Sequence, residues 1–147
     1  MGRDPAAGVG SAGPRVTVFV DSNVLIRHLT GQPPDQAGRA TSALRSAESL
    51  FLVDLVIAEV VFVLESVYEL DRERVADLLR AVLGFPAIRV ADAPLLLRTL
   101  EIYELHRIHF VEAYLAACAE ASGTGAVMSF DRAINPVSTV RRLEPGA

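Results

Sequence analysis

Two aspartates stand where a parallel sheet would place a binding site. Asp21 directly follows a short β-branched run, and Asp131 follows a second apolar run near the end of the chain. In open parallel sheets, ligands bind beyond the carboxyl ends of the strands. Each aspartate also has an ordinary alternative, because aspartate is common in turns. The alternative is weaker for Asp21, since Ser22 or Asn23 could cap the following helix without it.

Two glutamates lie in apolar sequence of helical character. Glu59 is surrounded by valine, isoleucine and alanine, and Glu112 by phenylalanine, valine, alanine and tyrosine. Charged side chains are rarely buried unless they are paired, so either glutamate alone is most simply a residue at a helix edge. All four acids lie in apolar segments, and together they predict convergence at one end of a sheet.

Four neighbouring carboxylates require a cation or a proton. A pair about 5 Å apart repels by roughly 3 kcal/mol at an effective dielectric constant near 20. Carboxylate oxygens without cysteine or a clear histidine set favour Mg²⁺ or Mn²⁺. Such a site typically holds a phosphodiester and activates water for in-line attack. We therefore predict that Asp21, Glu59, Glu112 and Asp131 are metal ligands and catalytic residues.

Short apolar strands that alternate with helices predict an α/β fold with a parallel sheet covered by helices. Asp54, Asp71 and Asp92 are the expected caps of three helices. The first strand is expected to be buried. Val60 and Leu64 are expected on the buried stripe of the third helix, together with Val56, Val63 and Val67. The predicted strands cover residues 16–20, 50–53, 87–90, 126–129 and 138–143, and the predicted helices end near residues 30, 49, 69, 83, 107 and 122.

The composition excludes several classes of protein. The 147 residues fit one domain preceded by a flexible tail at residues 1–14, and the net charge is −4. All 14 basic residues are arginine, so a Walker phosphate loop and a Schiff-base lysine are excluded. The acidic balance argues against a polybasic nucleic-acid binder. A single cysteine, Cys118, allows no internal disulfide, and no apolar run reaches membrane-spanning length, so we expect a cytoplasmic protein.

Four segments resemble a known family. The sequence of residues 18–27, VFVDSNVLIR, resembles the opening of PIN-domain ribonucleases, and especially of the VapC toxins of bacterial toxin–antitoxin pairs. Glu59 falls at the second acid of that family, and residues 109–117 resemble the helix that carries the third. Residues 128–132 resemble the segment with the fourth acid and its preceding serine or threonine. The resemblance covers about residues 16–143, with all four motifs in order.

The resemblance implies a PIN-like three-layer fold at residues 15–147, with a five-stranded parallel sheet flanked by helices. It implies endoribonuclease activity that depends on Mg²⁺ or Mn²⁺, often on structured RNAs such as tRNA or ribosomal RNA. It also implies a homodimer inhibited by a cognate VapB-like antitoxin.

Two positions depart from the family pattern. The third acid is usually aspartate and is Glu112 here, and His109 stands where many members carry another aspartate. Because residues 109 and 112 share a helix face, both could face the metal, and His109 could bind phosphate or substrate. Asn23 and Ser129 are the expected supporting residues, which orient a carboxylate or water. Arg27 could contact a substrate phosphate or simply be solvated.

Three other interpretations stay open. His106, His109 and Glu112 could form part of a zinc site, although no fourth ligand is evident. The strand followed by Asp-x-Asn is similar to aspartyl-phosphate enzymes, both phosphatases of the haloacid-dehalogenase type and receiver domains. Those enzymes use a lysine that this chain lacks. The third interpretation is a catalytically weak PIN-like module that binds RNA or protein. His28 is expected at the surface, and Tyr103 in the core or at a dimer contact.

Overall fold

The computed structural model describes residues 17–146. The predicted tail at residues 1–14 and the first residue of the first predicted strand lie outside this range. Within it, the backbone forms six α-helices, one 3-10 helix and five strands, and the chain divides into two compact units. Among the helices of the described range, none is both long and apolar enough to span a membrane.

The first unit contains residues up to Val60 and the segment Val82–Ala91. Its strands β1 (Val18–Phe19), β2 (Leu50–Phe51) and β3 (Ile88–Arg89) form a parallel sheet in the order β1-β2-β3. Val18 pairs with Leu50, which in turn pairs with Ile88. The helices of this unit are α1 (Ser22–Thr30), α2 (Pro34–Ser46) and the first half of α3 (Asp54–Ser66).

The second unit contains residues 61–81 and the chain from Asp92 onward. Its elements include most of α4 (Arg72–Leu83), with α5 (Ala93–His106) and α6 (Phe110–Ser122) packed against each other. Strands β4 (Ala126–Met128) and β5 (Arg141–Leu143) pair in parallel, and the 3-10 helix Arg132–Ile134 lies between them in sequence. The α/β class with five parallel strands is confirmed, and the strands form one three-stranded and one two-stranded sheet.

Polar groups at the helix ends explain most of the element boundaries. The carboxylates of Asp71 and Asp92 accept from the backbone N–H groups of Arg74 and Leu95, so both predicted caps are confirmed. The predicted start and end of α6 are also confirmed, because Gly123 ends the helix with φ 84°, which favours glycine. The helix α3 ends three residues earlier than predicted.

The predicted burial of two segments is wrong. Val18 and Phe19 in β1 are 53% and 68% exposed, and within residues 17–146 this strand lies at the edge of its sheet. Val67, predicted on the buried stripe of the third helix, lies just beyond the end of α3 and is exposed. The buried face of that helix is rotated toward the row Ile57, Val60, Val61 and Leu64.

A half-buried arginine fixes the connection that leads into α6. Tyr103 is completely buried, as expected for a core residue, and its hydroxyl donates to the carboxylate of Glu65. The guanidinium of Arg72 lies 4.4 Å from the Tyr103 ring centroid and donates to the carbonyl oxygens of Tyr103 and Ile108, at 2.9 and 2.6 Å. These bonds hold both ends of the α5–α6 turn, in which Arg107 has a left-handed backbone.

Candidate functional site

Asp21 is the N-cap of α1. Its backbone is extended, and its Oδ1 accepts from the N–H of Ser22 at 2.8 Å. The prediction that Ser22 or Asn23 caps this helix is therefore wrong, because the helix already begins at Ser22. The other carboxylate oxygen of Asp21 makes no hydrogen bond within residues 17–146, and the side chain is exposed. Asp21 thus has one oxygen fixed by the helix and one available to a ligand.

The other predicted site residues of the first unit lie on helices. Asn23 is exposed in the first turn of α1, where Asp21 is the cap. Glu59 is exposed on α3 and has no hydrogen bond or ion pair within the described range. Arg27 is half-buried on α1, and its Nε donates to Oε1 of Gln36 at 2.8 Å. Of these residues, Asp21 and Asn23 share one helical turn.

Glu112 is the third residue of α6 and is half-buried there. The backbone N–H of His109, the residue before the helix, bonds to its carboxylate and lowers its pKa. A glutamate at this position often reaches back to the capping residue in this way. Its Oε1 is buried and has no hydrogen-bond partner. Burial is the largest effect on the group and raises the pKa of Glu112.

Asp131 lies in the turn between β4 and the 3-10 helix. Its N–H donates to the hydroxyl oxygen of Ser129 at 2.9 Å, and its Oδ1 accepts from the N–H of Ala133 at 2.9 Å. The bond from Ala133 is the largest cause of the lowered pKa of Asp131, followed by a hydrogen bond with Glu112. Ser129 therefore supports the acid by fixing its backbone.

Glu112 and Asp131 are brought together in the second unit. The hydrogen bond between their carboxyl groups raises the pKa of Glu112 and lowers that of Asp131. Two carboxyl groups at this separation cannot both ionise freely without a compensating charge. The positive form of His109 would lower both pKa values. Its side chain is exposed and makes no capping hydrogen bond.

The donor atoms of Glu112 and Asp131 are suitable for a divalent cation. Both groups offer carboxylate oxygens, which Mg²⁺ and Mn²⁺ prefer, and Oε1 of Glu112 is a buried acceptor that lacks a hydrogen bond. Within residues 17–146, no three histidine, cysteine, aspartate or glutamate side chains form a group that could hold a metal ion. The zinc interpretation with His106 and His109 and the convergence of all four acids both stay predictions.

Arg142 is a site residue that the sequence analysis missed. Its side chain donates to the carbonyl oxygen of Ser129 at 2.8 Å and to Oδ1 of Asn135 at 3.1 Å. It thereby holds both sides of the turn that contains Asp131, and its charge lowers the pKa of that acid. No local sequence pattern could have revealed this role, because the contact with Ser129 joins residues 13 positions apart.

Comparisons with known proteins identify a matching family and a structural neighbour. No curated protein is significantly similar to the chain in sequence. A crystal structure of VapBC2 from Rickettsia felis, bound to a DNA fragment from their promoter, is similar to it with 13% sequence identity and a TM-score of 0.35. That similarity covers 88% of this chain and 98% of the other. The PIN domain family matches residues 18–139, a span that includes all four acids. The chain therefore belongs to the PIN domain family.

Proposed function

We propose that the protein is a divalent-metal-dependent endoribonuclease that hydrolyses RNA phosphodiester bonds with water. The observation that carries this proposal is the buried, unpartnered Oε1 of Glu112 beside the carboxylate of Asp131. Membership of the PIN domain family supports a nuclease assignment. The four acids also carry as many negative charges as the net charge of −4, so the rest of the chain is formally neutral toward RNA.

In the proposed mechanism, Glu112 and Asp131 would hold Mg²⁺ or Mn²⁺, and Asp21 and Glu59 would be its further ligands. When bound, the cation would supply positive charge beside the phosphate and make a water molecule more acidic. Ser129 and Arg142 keep Asp131 in place, and His109 would contact substrate phosphate. No protein nucleophile is required.

RNA cleavage by the purified chain tests this proposal. Labelled RNA is incubated with the wild type and with Glu112→Gln and Asp131→Asn, in Mg²⁺, Mn²⁺ or EDTA. The expected result is cleavage that needs metal and is lost in both variants but retained in Asp77→Asn, an exposed carboxylate change on α4. Equal cleavage by all proteins would indicate a contaminating nuclease. Absence of cleavage by the wild type, with RNA still bound, would favour the alternative of a binding module.

Metal binding has a separate readout in thermal stability. A ligand that binds only the folded state raises the melting temperature as its concentration increases. Mn²⁺ is expected to raise the melting temperature of the wild type and of Asp77→Asn. The same titration should have little effect on Glu112→Gln and Asp131→Asn. An equal rise in all four proteins would place the metal elsewhere.

We further propose that the protein acts in the cytoplasm as the toxin of a toxin–antitoxin pair. Its expected partners are a VapB-like antitoxin and a second copy of the chain. The motif resemblance to VapC toxins supports this assignment. Co-expression with a small protein encoded next to it tests the first partner, since a true antitoxin should co-purify and suppress RNA cleavage.

A further inference from the structure

A groove separates the two packed helices α1 and α2 of the first unit. Its volume is about 390 Å³, and it is open to solvent. Asn23, Val24 and Arg27 line it from α1. Gln36 and Arg39 line it from α2, together with two alanines. The small alanine side chains leave room between the helices, so the arginines can reach a ligand in the groove.

The lining of this groove is positively charged. Among the described residues, it contains two arginines and no carboxylate. Arg39 makes no hydrogen bond or ion pair within the described residues, and Arg27 uses only its Nε, which donates to Gln36. By contrast, Arg80 and Arg98 each donate to a glutamate, at 2.8 and 2.7 Å. The groove therefore keeps two guanidinium groups free of carboxylate partners.

The chemistry of the lining favours a phosphate of a nucleic-acid backbone over a base. Guanidinium groups bind phosphate oxygens with paired N–H donors. No aromatic side chain lines the groove, so it offers no surface on which a base could stack. The bond between Arg27 and Gln36 also restricts one guanidinium before a ligand arrives, which reduces the entropy lost on binding.

The groove lies next to the first predicted metal ligand. Asn23 belongs to the helical turn that Asp21 caps, so the lining of the groove extends to that turn. Arg27 follows Asp21 by six residues, which corresponds to about 9 Å along a helix axis. A backbone phosphate bound by Arg27 would thus be a neighbour of the phosphate that reaches Asp21.

We infer that Arg27 and Arg39 form a subsite for an RNA backbone phosphate next to the one that is cleaved. The subsite holds the strand by charge and does not read its sequence. The identity of the strand as RNA rests on the proposed function.

The test measures binding in EDTA, so that RNA is not cut. The probe is a fluorescein-labelled 12-nucleotide oligouridine, and its anisotropy is followed as protein is added at several salt concentrations. Arg27→Ala and Arg39→Ala are each expected to weaken binding about fivefold, and each lost phosphate contact should reduce the slope of log affinity against log salt by about 0.7. Arg39→Lys keeps the charge and should restore most of that slope.

Arg74→Ala is the matched control, because Arg74 is exposed on α4 and makes no side-chain hydrogen bond or ion pair within residues 17–146. It removes the same charge and should change affinity less than twofold. Melting temperatures of all variants verify that they are folded. A DNA probe that loses affinity in parallel would support contact with phosphate alone.

The outcomes separate this inference from the proposed function. If the wild type cuts RNA while both groove variants bind and cut as Arg74→Ala does, the subsite is refuted and the nuclease proposal stands. If RNA binding depends on both arginines but no metal restores cleavage, the nuclease proposal fails and the subsite stands. No measurable RNA binding by the wild type would overturn the inference.

Discussion

Asp21 combines two roles that single substitutions can separate. Its Oδ1 caps α1, and its other oxygen is proposed to bind the metal. Asp21→Asn keeps a good capping residue, whereas Asp21→Ala loses the cap and should cost about 1 kcal/mol of unfolding free energy. Both variants should lose RNA cleavage. Chemical denaturation and a cleavage assay measure the two effects; equal stability of the variants would show that the cap contributes nothing.

The interaction between Glu112 and Asp131 predicts a measurable shift in the pKa of Glu112. Burial raises the pKa of Glu112 most, and the hydrogen bond and charge of Asp131 raise it further. Asp131→Asn removes that charge, so we expect the pKa of Glu112 to fall toward its ordinary value. Carboxyl ¹³C NMR titration without metal measures the change. Asp77→Asn is the control. An unchanged pKa of Glu112 in Asp131→Asn would show that the two groups do not interact.

The sequence predicted the chemical types of the site residues better than their contacts. The apolar surroundings of all four acids predict that they converge, and the structure brings Glu112 and Asp131 together. The raised pKa of Glu112 depends first on its burial, which no local pattern encodes. His28 was expected at the surface, but it is half-buried, with Nδ1 2.7 Å from the hydroxyl of Thr41 and its ring edge-on to Phe85.

At the level of elements, helix ends were predictable and strand surroundings were not. A helix cap is a contact between residues close in sequence, so Asp71 and Asp92 could be assigned as caps from their position before an amphipathic run. The exposure of β1 depends on which strands lie beside it, and residues 18–20 do not contain that information. The same limit explains the rotated face of α3, since an almost continuously apolar helix does not specify which side is buried.

A charged cluster joins α5 and α6 to the segment before β5. Arg98 on α5 donates to both carboxylate oxygens of Glu120 on α6, at 2.8 and 2.7 Å, and the hydroxyl of Thr139 donates to the same carboxylate. The side chain of Glu120 is 18% exposed. Glu120→Gln should therefore lower the free energy of unfolding by about 2 kcal/mol at pH 7, as expected for hydrogen bonds to charged groups. Urea denaturation measures the loss.

This stabilisation should depend on pH with a defined sign. The hydrogen bond from Arg98 is the largest cause that holds the pKa of Glu120 below its ordinary value of 4.5. A lowered carboxylate pKa contributes stability above the unfolded value, and the contribution is lost as pH falls through the folded value. The difference in unfolding free energy between wild type and Glu120→Gln should thus have its full size at pH 7 and shrink below pH 4.5. Glu101→Gln removes the more exposed partner of Arg98 and should change the unfolding free energy little, both at pH 7 and below pH 4.5.

At the scale of the whole molecule, the proposed second copy needs an apolar surface. Large apolar side chains remain exposed on the packed pair α5 and α6, among them Leu105 at 67% and Val111 at 60%. Exposed apolar patches on a folded chain often mark protein–protein contacts. Aspartate at either position would place a charge in a desolvated contact, which association disfavours.

Light scattering after size-exclusion chromatography tests this assembly. The wild type is expected to have twice the mass of one 15.8 kDa chain. Leu105→Asp and Val111→Asp should shift the protein to the monomer mass, whereas Leu55→Asp, a change of a leucine on α3 that is 81% exposed, should not. Because Val111 precedes Glu112 in α6, RNA cleavage by the monomeric variants also shows whether the acidic pair works without the second copy. A wild type of monomer mass at micromolar concentration would contradict the proposed dimer.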